Sequence, residues 1–145
     1  MKESEQKSEQ TTTGHRILVA EDNETNLTLI IEMLSIKNHQ TIVARNGQEA
    51  IDLAVSQKPE LILMDLRMPK IDGLEVTRKL RQMPEFKNTL IIALTASAGK
   101  EAERRCLDAG CTDYLAKPIQ LKELFEMLEK YLKRISHQFS LKNTK

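Results

Sequence analysis

The sequence predicts an α/β fold in which five parallel strands alternate with five helices, a doubly wound (βα)5 sheet. Three observations carry this expectation. Short, nearly continuous runs of Ile, Leu and Val recur from Arg16 onward, as strands covered on both faces require. Between them lie stretches with apolar residues at helical spacing. The two kinds of segment alternate strictly, which is the pattern of βα units around a parallel sheet.

Each element has its own signal. The expected strands are Arg16 to Ala20, Gln40 to Ala44, Leu61 to Asp65, Leu90 to Leu94 and Asp113 to Ala116. The first helix is marked by Leu27, Ile30, Ile31 and Leu34, and the last by Leu121, Leu124, Phe125, Leu128 and Leu132, each set forming one apolar stripe. Three shorter helices lie between. Ala50, Ile51, Ala54 and Val55 mark one that Pro59 terminates; Leu74, Thr77, Leu80 and Met83 mark another that stops before Pro84; Ala102, Cys106 and Ala109 mark a third closed by Gly110.

The organisation that follows is a leader over residues 1–15, one domain of about 120 residues over 16–134, and a polar, basic tail over 135–145. The leader opens MKESEQKSEQTTT and has no apolar segment, so it reads as a disordered linker and not as a signal peptide. Lys130, Lys133, Arg134, Lys142 and Lys145 give the C-terminal end a local positive charge, read as a solvated helix end and a frayed terminus. The segments outside the domain are too short for a DNA-binding or catalytic output.

Composition excludes several functions. With 145 residues, 40% apolar and 30% charged, the chain can bury a core. Its 22 basic and 21 acidic residues give a net charge of +1, so no overall field draws it to nucleic acid or to a membrane surface. No apolar run reaches membrane-spanning length. Cys106 and Cys111 form neither a disulfide framework nor a zinc motif, which suits a reducing cytoplasm. His15, His39 and His137 have no ligand spacing and are expected as surface residues. There is no GxxxxGK[ST], GxSxG or HExxH motif.

In an open parallel sheet, residues just past the carboxyl ends of the strands gather along one edge, where ligands bind. That rule selects Glu21 and Asp22 after the first strand, Asp65 at the end of the third, Thr95 after the fourth, and Lys117-Pro118 after the fifth. An isolated Asp at a strand end is more often a cap or a turn residue. Three converging acids repel one another unless a cation sits among them. An oxygen-only donor set that leaves room for water and phosphate oxygens selects a hard ion, Mg2+. Lys117 is then one cation too many unless an anion visits the site. A phosphoryl group meets that requirement, with Thr95 as hydroxyl donor and Lys117 as point charge. Asp65, on the central strand, is the acid best placed to attack phosphorus and become an aspartyl phosphate.

These residues carry a resemblance. Ile17-Leu18-Val19-Ala20-Glu21-Asp22-Asn23, Leu61-Ile62-Leu63-Met64-Asp65-Leu66-Arg67-Met68-Pro69 with Asp72-Gly73, Ile92-Ala93-Leu94-Thr95-Ala96, and Gly110-Cys111-Thr112-Asp113-Tyr114-Leu115-Ala116-Lys117-Pro118 are similar in order and spacing to the receiver domain of two-component response regulators. The resemblance implies a flavodoxin-like strand order 2-1-3-4-5. It implies Asp65 as phosphoacceptor, with Asp22, Asp65 and the backbone carbonyl of Arg67 as direct Mg2+ ligands and Glu21 acting through water. Thr95 and Lys117 match the phosphoryl-binding pair, and Tyr114 matches the aromatic switch that turns inward when Thr95 is drawn to the phosphoryl oxygen. Lys117-Pro118 matches a peptide bond that is commonly cis. Arg67 and Ser97 match positions that tune hydrolysis of the aspartyl phosphate.

The implied function is that of a phosphorelay switch, and not of an enzyme beyond its own phosphorylation and slow autodephosphorylation. Its donor would be a histidine kinase or a histidine-phosphotransfer protein, and its target a downstream protein or a parent kinase. The run Glu21-Asp22-Asn23-Glu24-Thr25-Asn26 resembles receivers attached to hybrid histidine kinases. The alternatives are a pseudo-receiver that binds a partner without chemistry, opposed by the complete acid, Thr and Lys set, and a flavin-binding protein. For the latter, Glu21 and Asp22 stand where a phosphate would have to sit.

Overall fold

The computed structural model describes residues 14–143, with side chains as far as Lys133. The leader up to Thr13 and the last two residues lie outside the described residues. The strands are β1 (Arg16–Ala20), β2 (Gln40–Ala44), β3 (Leu61–Asp65), β4 (Leu90–Thr95) and β5 (Asp113–Ala116). The helices are α1 (Glu24–Ile36), α2 (Gly47–Gln57), α3 (Gly73–Arg81), α4 (Lys100–Ala109) and α5 (Leu121–Asn143), with a 3-10 turn at Pro84–Phe86. All strand pairings are parallel, and the order is β2-β1-β3-β4-β5. The fold class and strand order are thus as the sequence implied.

Burial explains why the strands read so clearly. Every residue of β3 is buried, and β4 is buried after its first residue, so neither strand has a solvent face that needs polar alternation. Side chains alternate between two apolar layers. On one face Ile17, Val19, Leu61, Leu63, Ile92 and Leu94 pack against Leu27, Ile30 and Leu34 of α1 and Leu124, Leu128 and Leu132 of α5. On the other, Leu18, Ile62, Met64, Ile91 and Ala93 meet Ala50 and Ala54 of α2, Val76 and Leu80 of α3, Phe86, and Cys106 of α4. Each fully buried Leu or Ile contributes about 1.5–3 kcal/mol over its exposed state. Both cysteines are buried in this second layer.

Local chemistry starts and stops the helices. Asn23, Asn46 and Asp72 cap α1, α2 and α3, each accepting an N–H three residues on at 2.9 Å. Gly110, at φ 109°, closes α4 in the left-handed conformation that glycine adopts without strain. Strand β4 runs one residue further than the sequence suggested and takes in Thr95. Helix α5 continues to Asn143, into the segment expected as a tail.

At the amino edge of the sheet, Arg81 ties four segments together. Its guanidinium donates to the carbonyls of Gly110 at 2.8 Å and Phe86 at 2.6 Å, and to Thr112 Oγ1 at 3.4 Å. Thr112 Oγ1 accepts in turn from the Ile91 N–H at 3.0 Å. Replacing Arg81 by Met takes the guanidinium from the Gly110 carbonyl and leaves the Phe86 carbonyl only the longer bond from Thr89 N at 3.3 Å, and is expected to lower stability by about 2 kcal/mol. Arg81→Lys should recover little, because an ammonium cannot span the fork. A urea midpoint equal to wild type in Arg81→Met would contradict this role.

The same edge corrects one expectation. His15 and His39 are not free surface residues. His15 Nδ1 lies 2.8 Å from Glu60 Oε1, its ring centroid lies 5.7 Å from that of His39, and its backbone N–H donates to His39 Nδ1 at 3.1 Å. The ordering comes from three strand starts lying side by side, which the sequence alone does not display. Burial, chiefly, and the neighbouring His15 hold the pKa of His39 below its ordinary value. A neutral His39 is therefore favoured in the folded state. The stability it contributes is complete above pH 6.5 and is lost as pH falls below that value toward the depressed folded pKa. Urea midpoints between pH 7.5 and 5 should fall more in wild type than in His39→Asn, whose amide oxygen can accept the same N–H. Parallel pH curves would contradict it.

Candidate functional site

The carboxyl edge of the sheet collects the residues that the strand-end rule selected. Asp65 and Thr95 are the last residues of β3 and β4; Glu21 and Asp22 follow β1, and Lys117 follows β5. Backbone hydrogen bonds extend the ladder into these loops and hold the side chains in place. Glu21 N donates to Ala44 O at 2.9 Å, Leu66 N to Leu94 O at 3.1 Å, and Lys117 N to Thr95 O at 2.7 Å. The site is therefore mounted on the sheet itself, and its geometry is inherited from the strands.

One carboxylate oxygen from each of Glu21, Asp22 and Asp65 lies within 4.8 Å of the others. Glu21 and Asp65 are 1% and 2% exposed, whereas Asp22 faces solvent. Lys117 Nζ stands 3.0 Å from Asp65 Oδ1 and 3.5 Å from Glu21 Oε1. Asp65 Oδ1 also accepts the backbone N–H of Arg67 at 3.1 Å, and Glu21 Oε2 accepts that of Asn23 at 3.2 Å. Glu21 Oε1, by contrast, is buried without a hydrogen-bond partner. Burial and the adjoining Asp65 carboxyl push the Glu21 pKa up to about 7. One ammonium does not satisfy this cluster, and the remaining deficit is positive charge.

A hard divalent cation fits that deficit. The donors are all oxygen, one buried acceptor has no hydrogen bond, and Asp22 opens the cluster to solvent, leaving positions for water or a phosphate oxygen. Thr95 is 3% exposed, and its Oγ1 accepts the backbone N–H of Ser97 at 3.0 Å, an arrangement that leaves its hydroxyl hydrogen to donate. The Lys117-Pro118 peptide is cis. Arg67, Ser97 and Pro118 are exposed at the rim. Tyr114 is half-buried beside the layer formed by α2, α3 and α4, in register with Ala93, and borders a groove of about 450 Å³ with Ala98, Ala116 and Met127. Every predicted site residue thus lies on or next to this one edge.

Sequence reading quoted Gly73 within its motif but gave neither it nor Gly47 a part in shaping the site. A Cβ on Gly73 would lie 2.4 Å from the carbonyl oxygen of Asp65 and 2.9 Å from Leu66 Cα. Only a residue without a side chain lets α3 begin directly behind the phosphoacceptor candidate. The Asp72-Gly73 pair after a strand-end Asp was the available signal; Gly47, which touches Ile71, gave none.

Comparison with known proteins agrees with this geometry. The family model described as the response regulator receiver domain matches residues 17–129. The polar-differentiation response regulator DivK of Brucella anthropi is 40% identical over 116 residues, which cover 80% of this chain and 94% of that protein. Among solved structures, the receiver domain of the sensor histidine kinase PA1611 from Pseudomonas aeruginosa, with a magnesium ion coordinated in its active-site cleft, superposes with a TM-score of 0.77. It is 38% identical and covers 83% of this chain and 98% of that one. A chain in the co-crystal of the Saccharomyces cerevisiae histidine phosphotransfer protein Ypd1 with the receiver domain of Ssk1 also scores 0.77, at 29% identity, covering 82% of this chain and 89% of that one. No helix among the described residues is long and apolar enough to cross a membrane. With five parallel strands in the order 2-1-3-4-5 and an acidic pocket at their carboxyl edge, the chain belongs to the response regulator receiver domain family of two-component signalling.

Proposed function

We propose that residues 16–134 act as a phosphoacceptor switch, in which Asp65 receives a phosphoryl group from a partner's phosphohistidine. The observation that carries this reading is the Lys117 ammonium held between two buried carboxylates, with the Glu21 oxygen that faces it at 3.5 Å left without a hydrogen bond. Asp22, Asp65 and the carbonyl of Arg67 would hold Mg2+, with Glu21 contributing through water. The ion supplies charge neutralisation for the transferring oxygens. An Asp65 carboxylate oxygen attacks phosphorus, the P–N bond breaks, and the imidazole leaves with the electron pair. Lys117 and the Thr95 hydroxyl then bind the phosphoryl oxygens.

The output follows from Thr95. Drawing its hydroxyl toward the phosphoryl group frees space along β4 and β5, and Tyr114 turns inward, changing the surface of α4, β5 and α5. Arg67 and Ser97, two residues beyond Asp65 and Thr95, set how readily water reaches the acyl phosphate during slow autodephosphorylation. The donor is a histidine kinase or a histidine-phosphotransfer protein, and the readout a downstream protein or a parent kinase. The likeness to a kinase-borne receiver and to a receiver crystallised with a phosphotransfer protein supports this partner class. Two free cysteines suit an exchange in the cytoplasm.

Beryllofluoride, a phosphoryl mimic, tests the switch. With Mg2+, amide resonances at Thr95, Tyr114 and along α4 should shift in wild type and stay fixed in Asp65→Asn. Shifts that persist in Asp65→Asn would sink the proposal.

A further inference from the structure

Resting on the Mg2+ reading above, we infer that Gly47, at the start of α2, is a positioning residue for the metal site, because it seats the loop that carries the Arg67 carbonyl. The loop between β3 and α3 is fastened at its base, where Gly73 N donates to Leu66 O at 3.1 Å and Arg67 N to Asp65 Oδ1 at 3.1 Å. Its far side rests on Gly47. A Cβ there would lie 2.2 Å from the Ile71 carbonyl oxygen and 2.8 Å from Ile71 Cβ.

The two sides of this contact differ in stiffness. Gly47 stands on a braced helix start: Asn46 caps α2 by accepting from Glu49 N at 2.9 Å, and Arg45 N donates to Glu49 Oε1 at 2.8 Å. Arg45 Nε reaches Glu24 Oε2 on α1 at 2.7 Å, and Ala44 O is bonded to the backbone of Glu21 itself. The loop has Lys70 at a φ of 71°, a conformation that side-chain-bearing residues hold only under constraint. A methyl group on Gly47 meets backbone, which no rotamer change can relieve. The loop, and not the helix, must then retreat by about 1 Å, taking the Arg67 carbonyl away from Asp22 and Asp65. Helix propensity favours Ala over Gly at a helical position, so a loss on substitution is assigned to the contact.

Isothermal titration of Mg2+ into wild type, Gly47→Ala and Ile71→Gly tests the seat, together with acetyl-phosphate phosphorylation rates as a function of Mg2+. Gly47→Ala should weaken Mg2+ binding by about tenfold while its rate at saturating Mg2+ stays near wild type, since Asp65, Thr95 and Lys117 are untouched. Ile71→Gly, which leaves α2 intact and loosens the loop, should weaken Mg2+ binding in the same direction and decides the matter if Gly47→Ala does not fold. Normal wild-type binding with unchanged affinity in the variants would overturn the seat alone. Absence of Mg2+ binding in wild type would overturn the metal reading and this inference with it.

Discussion

A Lys117→Met protein is expected to be phosphorylated by acetyl phosphate about 100-fold more slowly than wild type, and its metal-free form to be destabilised by about 3 kcal/mol near pH 8. Both effects have one origin. Lys117 Nζ lies 3.0 Å from Asp65 and 3.5 Å from Glu21, and both carboxylates are almost wholly buried. Removing the ammonium leaves two like charges in a desolvated pocket and deprives the transferring phosphoryl group of its fixed cation. Methionine keeps the length and the apolar stem, so packing changes little. Saturating Mg2+ should restore most of the lost stability, because a cation again stands among the acids, but it should not restore the rate. Urea midpoints with and without Mg2+ make the distinction. An equal deficit under both conditions would show that Lys117 serves packing and not charge.

Gly73→Ala is expected to destabilise the protein by about 2–3 kcal/mol, although alanine is favoured over glycine within helices by about 1 kcal/mol. The added methyl would fall 2.4 Å from Asp65 O, 2.9 Å from Leu66 Cα and 3.0 Å from Met64 Cγ. Two of those three atoms are backbone, so relief requires moving either α3 or the end of β3. Moving β3 displaces Asp65, and phosphorylation should fall together with stability. Thermal unfolding and the acetyl-phosphate rate, measured on the same preparation, report both. A variant as stable as wild type would contradict the close packing that places α3 behind Asp65.

Most of the fold was legible because the three central strands, β1, β3 and β4, are buried on both faces. Leu61 to Met64 and Ile91 to Leu94 are apolar throughout, and the polar residues that interrupt them, Asp65 and Thr95, are the ones the site uses. The site was legible for the same reason: a parallel sheet delivers each strand end to one edge, so Glu21, Asp22, Asp65, Thr95 and Lys117 had to meet. What escaped depends on contacts between distant segments. The network of His15, His39 and Glu60 needs three strand starts side by side. The Arg81 fork joins residues that have no sequence relation to one another. Gly47 and Ile71 meet only because the segments after β2 and β3, the two strands that flank β1, fold toward each other. The division of labour within the acid cluster was also hidden. Only the folded arrangement shows that Asp22 is exposed while Glu21 keeps a buried oxygen without a hydrogen bond.

The most direct test of the central reading is intact-mass analysis after incubation with acetyl phosphate and Mg2+, with peptide mapping of the adduct. Wild type should gain the mass of one phosphoryl group, located on Asp65 and labile to hydroxylamine, and Asp65→Asn should gain none. No adduct on wild type, or one that persists in Asp65→Asn, would contradict the assignment of Asp65 as the phosphoacceptor.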